Sequence, residues 1–560
     1  MPSLPASHTK DAANETFEKA ASFGVAANLT MYLVKRFDIG QLKAASITNI
    51  FYATLNVTPL IGAFISDSYL GRFKTLAYGC FASLLGMLGL TLSASPPVLK
   101  PPTCNQVSQL DGHCSNPSTL QLSVLYLSLG LLTIGVDQFD TTDEENRKSL
   151  NSYYNWYYGT STAALVFSTT ILIYIQNNFS WAIGFGIPTV FMFLAIILYF
   201  AATRLYVHVP PEGSIFSGIA QVLVASFKKR RLKLPCPHDI NQQELMLYNP
   251  PTRGNHIFRL PLTSQFLNKG AIMRDRDINN DGSARNSWEL SSIQQIEEVK
   301  CLIRIVPICF SGILCFIAMA QQFTFIILQA FTIDCHLGPH FEIPAGTVTS
   351  ISLIALTVFI IIYDQIMVPF ARQFTGLEGG ITLLQRQGIG LAFASISMVV
   401  AGLVERKRRN SALSNGGISP ITVLWLAPQL VLMGIAEAFN TVGQIKFYNK
   451  QFPEHMQTLA GSLLFCSAAG ANYFSTALAT ITRKVTARHG HTSWLSDNIN
   501  NGKLDYYYYL IAILGVFNLF YFLICSRYYR YKAMSPHADK SIKTNEKDDG
   551  ATEITYASRK

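Results

Sequence analysis

The stretch NETFEK, Asn14–Lys19, places Glu15, Glu18 and Lys19 at i, i+3 and i+4. On a helix these three share one face. The run that contains them, Ala12–Val34, is otherwise apolar and long enough to cross a membrane. A charge at the centre of such a helix costs about 2.5–3.5 kcal/mol on insertion scales, and less near its end. Two readings compete. In one, the charges form an interfacial cluster whose long side chains reach water. In the other, two carboxylates bind and release a proton under the influence of the Lys19 ammonium, because close carboxylates resist ionising together and a nearby cation opposes that. Glu437, in GIAEAFNTVGQ, is a second acid, well inside another apolar run. Such an acid either serves a substrate or proton path or pairs statically with a base on a neighbouring helix.

Other chemistries find little support. There is no Gly-rich phosphate loop, no H-E-x-x-H and no nucleophile–base pair, so an enzyme is not expected. The ten cysteines lack metal-ligand spacing, and no metal or cofactor is expected. Cys104 and Cys114 share one polar loop and could pair if it faces an oxidising compartment. No ring of acids or filter loop suggests a channel.

The elements that must hold these residues are membrane helices. The chain has 560 residues, 49% hydrophobic and only 14% charged, with mean hydropathy +0.25. A soluble chain carries about 25% charged residues. Apolar runs predict helices at Ala12–Val34, Ala44–Ile65, Thr75–Leu92, Leu120–Val136, Tyr153–Ile175 and Trp181–Ala202, then at Leu302–Leu328, Ala345–Val368, Gly380–Val404, Ile421–Val442, Leu459–Ile481 and Tyr506–Cys525. Backbone groups in lipid must bond within the segment, so these runs are helices. The expected fold is an all-α membrane protein of twelve crossings in two six-helix halves. Its expected parts are a polar N-terminus (1–11), the first half (12–203), a linker (204–301), the second half (302–526) and a disordered tail (527–560). The linker carries FKKRRLK, Phe227–Lys233, and the positive-inside tendency makes it cytoplasmic along with both termini. Ile215–Lys233 has apolar residues at helical spacing and a basic end, which predicts a helix on the inner membrane surface or across the halves. The net charge of +10 belongs to these loops and not to a nucleic-acid site. One loop, ERKRRN at Glu405–Asn410, falls outside by strict alternation. The halves echo each other: GAFISDSYLGRFKT at Gly62–Thr75 follows the second helix, and YDQIMVPFARQFTG at Tyr363–Gly376 follows the eighth. Such repeats are common in secondary transporters, whose substrate site lies at midplane between the halves.

GAFISDSYLGRFK resembles the loop motif of the major facilitator superfamily. The fuller set of ETFEK, GAFISDSYLGRFKT, DQFD (Asp137–Asp140), NWYY (Asn155–Tyr158), EEVKCLIRIVPI, GITLLQRQGIG and GIAEAF resembles the plant nitrate/peptide transporters, relatives of the proton-dependent oligopeptide transporters. The Lys in the first-helix motif is similar to the subfamily that includes nitrate, glucosinolate and other glycoside carriers. The resemblance implies proton-coupled transport across a plant membrane, the plasma membrane rather than the vacuolar one. It implies proton coupling at Glu15, Glu18 and Lys19, and gating or substrate linkage at Glu437. It also implies a conformational latch that includes Asp67, Arg72, Asp137 and Asp140. Tyr153, Tyr154, Trp156, Tyr157 and Gln321 could stack on or hydrogen-bond a glycoside, or could simply pack helices. Partners are then a small molecule or anion, protons and the lipid bilayer.

The sequence departs from that family in four places. The polar MPSLPASHTKD precedes the first-helix motif. GLLTIGVDQFD runs through about a dozen residues short, without the basic residue the fourth helix usually carries, which removes the usual partner of Glu437. Lys19 or Arg304 is the remaining candidate cation. Met319 stands where some nitrate carriers have a His, and a thioether cannot donate the hydrogen bond of an imidazolium. Lys446 stands where an acid is usual. The short fourth helix supports an alternative, a transport-impaired or receptor-like membrane protein.

Overall fold

The computed structural model describes residues 17–26, 28–99, 101, 117–135, 164–201, 215–232, 247–248, 265–274, 277–279, 283–336, 343–377, 379–452, 457–488 and 492–529. Glu15, the Cys104–Cys114 loop, Asp137, Asp140, Tyr153, Tyr154, Trp156, Tyr157 and the tail lie outside them.

Helices dominate. In chain order they are α1 (17–26), α2 (Leu29–Phe37), α3 (Gln41–Ile65), α4 (Arg72–Ala94), α5 (Thr119–Gly135), α6 (Ile173–Asn178), α7 (Trp181–Ala201), α8 (Ile215–Lys228), α9 (Ile293–Ala330), α10 (Ser350–Ile362), α11 (Val368–Thr375), α12 (Leu383–Ser414), α13 (Ala427–Gln451), α14 (Gln457–Thr486) and α15 (Leu504–Tyr528). Among the described residues, eight helices are long and apolar enough to cross a membrane. Residues 17–37, α5, the stretch 164–178 and α14 supply four shorter or more polar candidates, consistent with twelve crossings.

The chain forms two compact units. The larger contains both helical halves. Its first-half core joins Ala21, Leu29, Tyr32, Phe51, Met87, Leu125, Leu129 and Phe185. The smaller contains the linker. There α8 buries Val222 against Leu267, Ala271, Ile296 and Val299. The same face buries Lys229, whose ammonium lies 3.0 Å from Asp277 and donates to Ile272 O at 2.7 Å. Burial lowers the Lys229 pKa, and the Asp277 contact opposes that. Lys228 pairs with Glu289 at 3.1 Å. Two lysines of the basic cluster are thus neutralised inside the linker unit.

Three sequence expectations change. The first crossing is not one helix. It is interrupted at Asn28, whose amide Nδ2 donates to Gln176 Oε1 at 3.0 Å, and resumes from Leu29 to Phe37. The second correction concerns ERKRRN, which is no loop. It continues α12 to Ser414, because each basic residue but one has a described use. Arg408 pairs with Glu405, Arg409 Nε donates to Asn500 O at 3.1 Å, and Lys407 sits 3.4 Å above the Trp425 ring. Charges engaged in this way no longer act as a solvated topogenic cluster. Third, α12 runs longer than its expected apolar core: it starts at Leu383 behind the Thr382–Gln385 capping box and gains its extra length at the other end, through Glu405 to Ser414.

The repeat is visible in the backbone. A π turn at Ser66–Leu70 follows α3, and another at Tyr363–Met367 follows α10. One contains Asp67 and the other Asp364. Gly71 follows the first at φ 78°, a conformation a Cβ would strain.

Candidate functional site

In α1, Glu18 is 1% exposed. Lys19 lines a cavity of about 50 Å³. Ser22, Phe23, Val25 and Ala26 of α1, Phe51, Tyr52 and Leu55 of α3, and Leu132 of α5 complete its wall. The wall is mostly apolar. Tyr52 OH donates to Ala26 O at 2.9 Å, which pins α1 to α3. Consecutive helical residues point to different faces, so the acid is packed away while its neighbour reaches the cavity.

Glu437 lies near the middle of α13, in the neighbourhood of Cys315 of α9. Its Oε2 is buried with no hydrogen-bond partner. Among the described residues, no lysine or arginine of the same unit pairs with it. Small residues draw neighbouring helices close here. A Cβ on Gly434 would stand 2.5 Å from Ser352 O, and one on Gly390 would stand 2.7 Å from Asn440 N. Backbones that approach this closely leave little room for α13 to rotate, so the acid is fixed in direction.

Met319 is buried in α9. Gln321 is fully buried, and its Nε2 donates to Ser475 O of α14 at 2.9 Å. This amide therefore ties two helices together. Asp67 lies in the first π turn and Arg72 is the first residue of α4.

Sequence reading missed two buried arginines of the second half. Arg386 donates from Nη2 to Ala438 O at 3.0 Å, one residue after Glu437, and its guanidinium lies 4.3 Å from the centre of the Tyr363 ring. It braces the acid's helix and the second π turn together. The motif GITLLQRQGIG contained it, but nothing in the spacing distinguished it from a surface base. Arg408 is the other.

The two halves meet within the larger unit. Thr324 Oγ1 of α9 donates to Asn49 Oδ1 of α3 at 2.8 Å. Thr54 Oγ1 lies 3.1 Å from Tyr473 OH of α14. Met31 of α2 enters a second-half cluster with Ile326, Ile327, Ala330, Val404 and Leu426. Met31 and the end of α9 lie at the same end of the bundle. At the opposite end, Tyr69 and Leu70 of the first π turn are exposed, and α11 buries no residue.

The model of the family described as "POT family" matches residues 73–495. The chain belongs to the POT family. It is 47% identical to Protein NRT1/PTR FAMILY 2.13 of Arabidopsis thaliana over 98% of this chain and 89% of the relative. It is 46% identical to Protein NRT1/PTR FAMILY 2.12 of the same plant over 94% and 92%. Among solved structures, an auto-inhibited POT family peptide transporter superposes with TM-score 0.67 at 16% identity, covering 95% of this chain and 99% of that one. The POT family transporter PepTSo gives 0.66 at 18%, covering 94% and 99%. At that identity the likeness shows the fold alone, an all-α bundle of major facilitator type. Membership of the POT family makes the protein a multi-pass membrane transporter and not an enzyme.

Proposed function

We propose that the protein moves nitrate or a glycoside of specialised metabolism, of the glucosinolate type, together with protons across a plant membrane by alternating access. The plasma membrane is the proposed site. The observation that carries the coupling is the pair of buried acids, Glu18 in the first half and Glu437 in the second, the latter with no described cation of its unit against it. A carboxylate without a counter-ion in such a place is held most cheaply by a proton. Glu15 and Lys19 complete the first-half group, and Glu437 links protonation to the packing of α13. Asp67, Arg72, Asp137 and Asp140 form the latch. Tyr154, Trp156, Tyr157, Met319 and Gln321 form the substrate pocket.

The test is uptake at pH 5.5 and 7.5 in a heterologous cell, with nitrate, chloride, a dipeptide and several plant glucosides. Uptake of nitrate or a glucoside should rise as external pH falls. A rate independent of pH, or transport of the dipeptide alone, would overturn the reading. The alternative is a transport-impaired product. Its support is the direct succession of Gly135 and Val136, with α5 only 17 residues long as described. A transcript with extra sequence between those two residues would explain that gap, and silence of all substrates would favour impairment.

A further inference from the structure

Arg408 is among the largest fully buried side chains. It and Glu405 are 1% and 0% exposed. Two parallel hydrogen bonds of 2.7 Å join them, from Nε to Oε2 and from Nη2 to Oε1. A buried pair of this kind gains little over apolar packing unless its remaining polar atoms are bonded, and here they are. Gln329 Nε2 donates to Glu405 Oε2 at 2.7 Å. Arg408 Nη1 donates to Thr332 Oγ1 and to Asn500 Oδ1 at 2.8 Å. Gln429 Nε2 and Tyr508 OH both donate to Gln329 Oε1, at 3.1 and 3.3 Å.

All of these residues belong to the second half, yet they converge on one place. Gln329 lies in the last turn of α9 and Thr332 in the turn just after it, where the last carbonyls of a helix lack partners and the chain is soft. Ile326, Ile327 and Ala330 of that last turn share a buried cluster with Met31 of the first half. Lys35 also crosses to it, 5.0 Å from the Phe331 ring. Thr332 is held a second time, since its carbonyl accepts from Ser419 N at 2.9 Å where β1 (Ile333–Asp334) pairs with β2 (Ser419–Thr422).

We infer that Glu405 and Arg408 are positioning residues for the outer seal of the transporter. Through Gln329 and Thr332 they fix the last turn of α9 in the place where it receives Met31. The network need not break when the halves separate, because Met31 withdraws and the second-half network stays whole. Its role is to preset the closed contact. This inference rests on the alternating-access reading, but its test needs no substrate.

The reporter is native. Cys335 is buried in the same cluster as Met31, and its thiol donates to Ala330 O at 3.2 Å. In a chain with Cys104→Ser and Cys114→Ser, intact cells are exposed to a membrane-impermeant maleimide, and labelling of Cys335 is timed. Thr332→Val removes the bond from Arg408 and the one Thr332 Oγ1 donates to Gln329 O at 3.1 Å, and leaves the ion pair. It should raise the labelling rate roughly threefold, with Glu405→Gln raising it about tenfold, in line with the loss of one or more hydrogen bonds to a charged group. Met31→Ala should raise it as well. A merely structural role would lower the amount of folded protein at the surface and leave the rate per surviving molecule unchanged. If Glu405→Gln does not reach the surface, Thr332→Val decides alone. A parental labelling rate in Thr332→Val at normal surface amount overturns the inference.

Discussion

At the scale of single residues, the acids separate by environment. Replacing Glu18 with Gln removes a carboxylate without changing its volume. Accumulation against a gradient should be lost while exchange of substrate across the membrane persists, which counterflow in proteoliposomes would show. Glu437→Gln imitates the protonated acid, so uptake should survive and become nearly flat between pH 5.5 and 7.5. Lys19 lines a cavity of the first half, and no ion pair joins it to Glu437. The effects of Lys19→Ala and Glu437→Ala on transport should therefore add to within about 0.5 kcal/mol, as for sites without shared partners. A larger coupling in the double-mutant cycle would show that the two groups meet during transport. Glu18, Lys19 and Glu437 were legible because a charge in an apolar run is conspicuous. Arg386 and Arg408 were not, because a base at the edge of such a run looks like a loop residue until its partners are seen.

At the scale of elements, hydropathy marked most crossings but not their ends. It could not see the break at Asn28, where a tertiary amide contact with Gln176 outweighs helix continuity, nor the two π turns, which have no compositional signature. The linker shows the same limit. The apolar spacing of α8 predicted its helix, but the partners of its lysines came from residues half a hundred positions away. The Lys229–Asp277 pair has both side chains 3% exposed. Asp277→Ala would leave a buried ammonium beside one carbonyl and should weaken the linker unit by about 3 kcal/mol. Hydrogen exchange of α8 and the start of α9 should accelerate accordingly, with substrate preference unchanged.

At the scale of the whole membrane unit, the contacts between halves among the described residues lie toward the end that holds Met31 and the middle, and the opposite end carries exposed turns. This arrangement is closed at the Met31 end. Asn49 and Thr324 touch across the halves at 2.8 Å, so a short bifunctional thiol reagent across Asn49→Cys and Thr324→Cys should stop transport, and cleavage of the bridge should restore it. Continued transport with the bridge intact would mean that this contact does not open in the cycle.

The length of α12 has a practical consequence. Its 32 residues span about 48 Å, whereas the hydrocarbon is about 30 Å thick. Part of its length therefore stands clear of the lipid, and its last turns are braced by the Glu405–Arg408 network and followed by Gly416 and Gly417 in open space. Small transporters give electron microscopists few rigid features outside the detergent belt. This post offers one: an antibody fragment raised against the Leu413–Ile418 turn would bind a braced epitope, and would mark that end of the bundle in images of single particles.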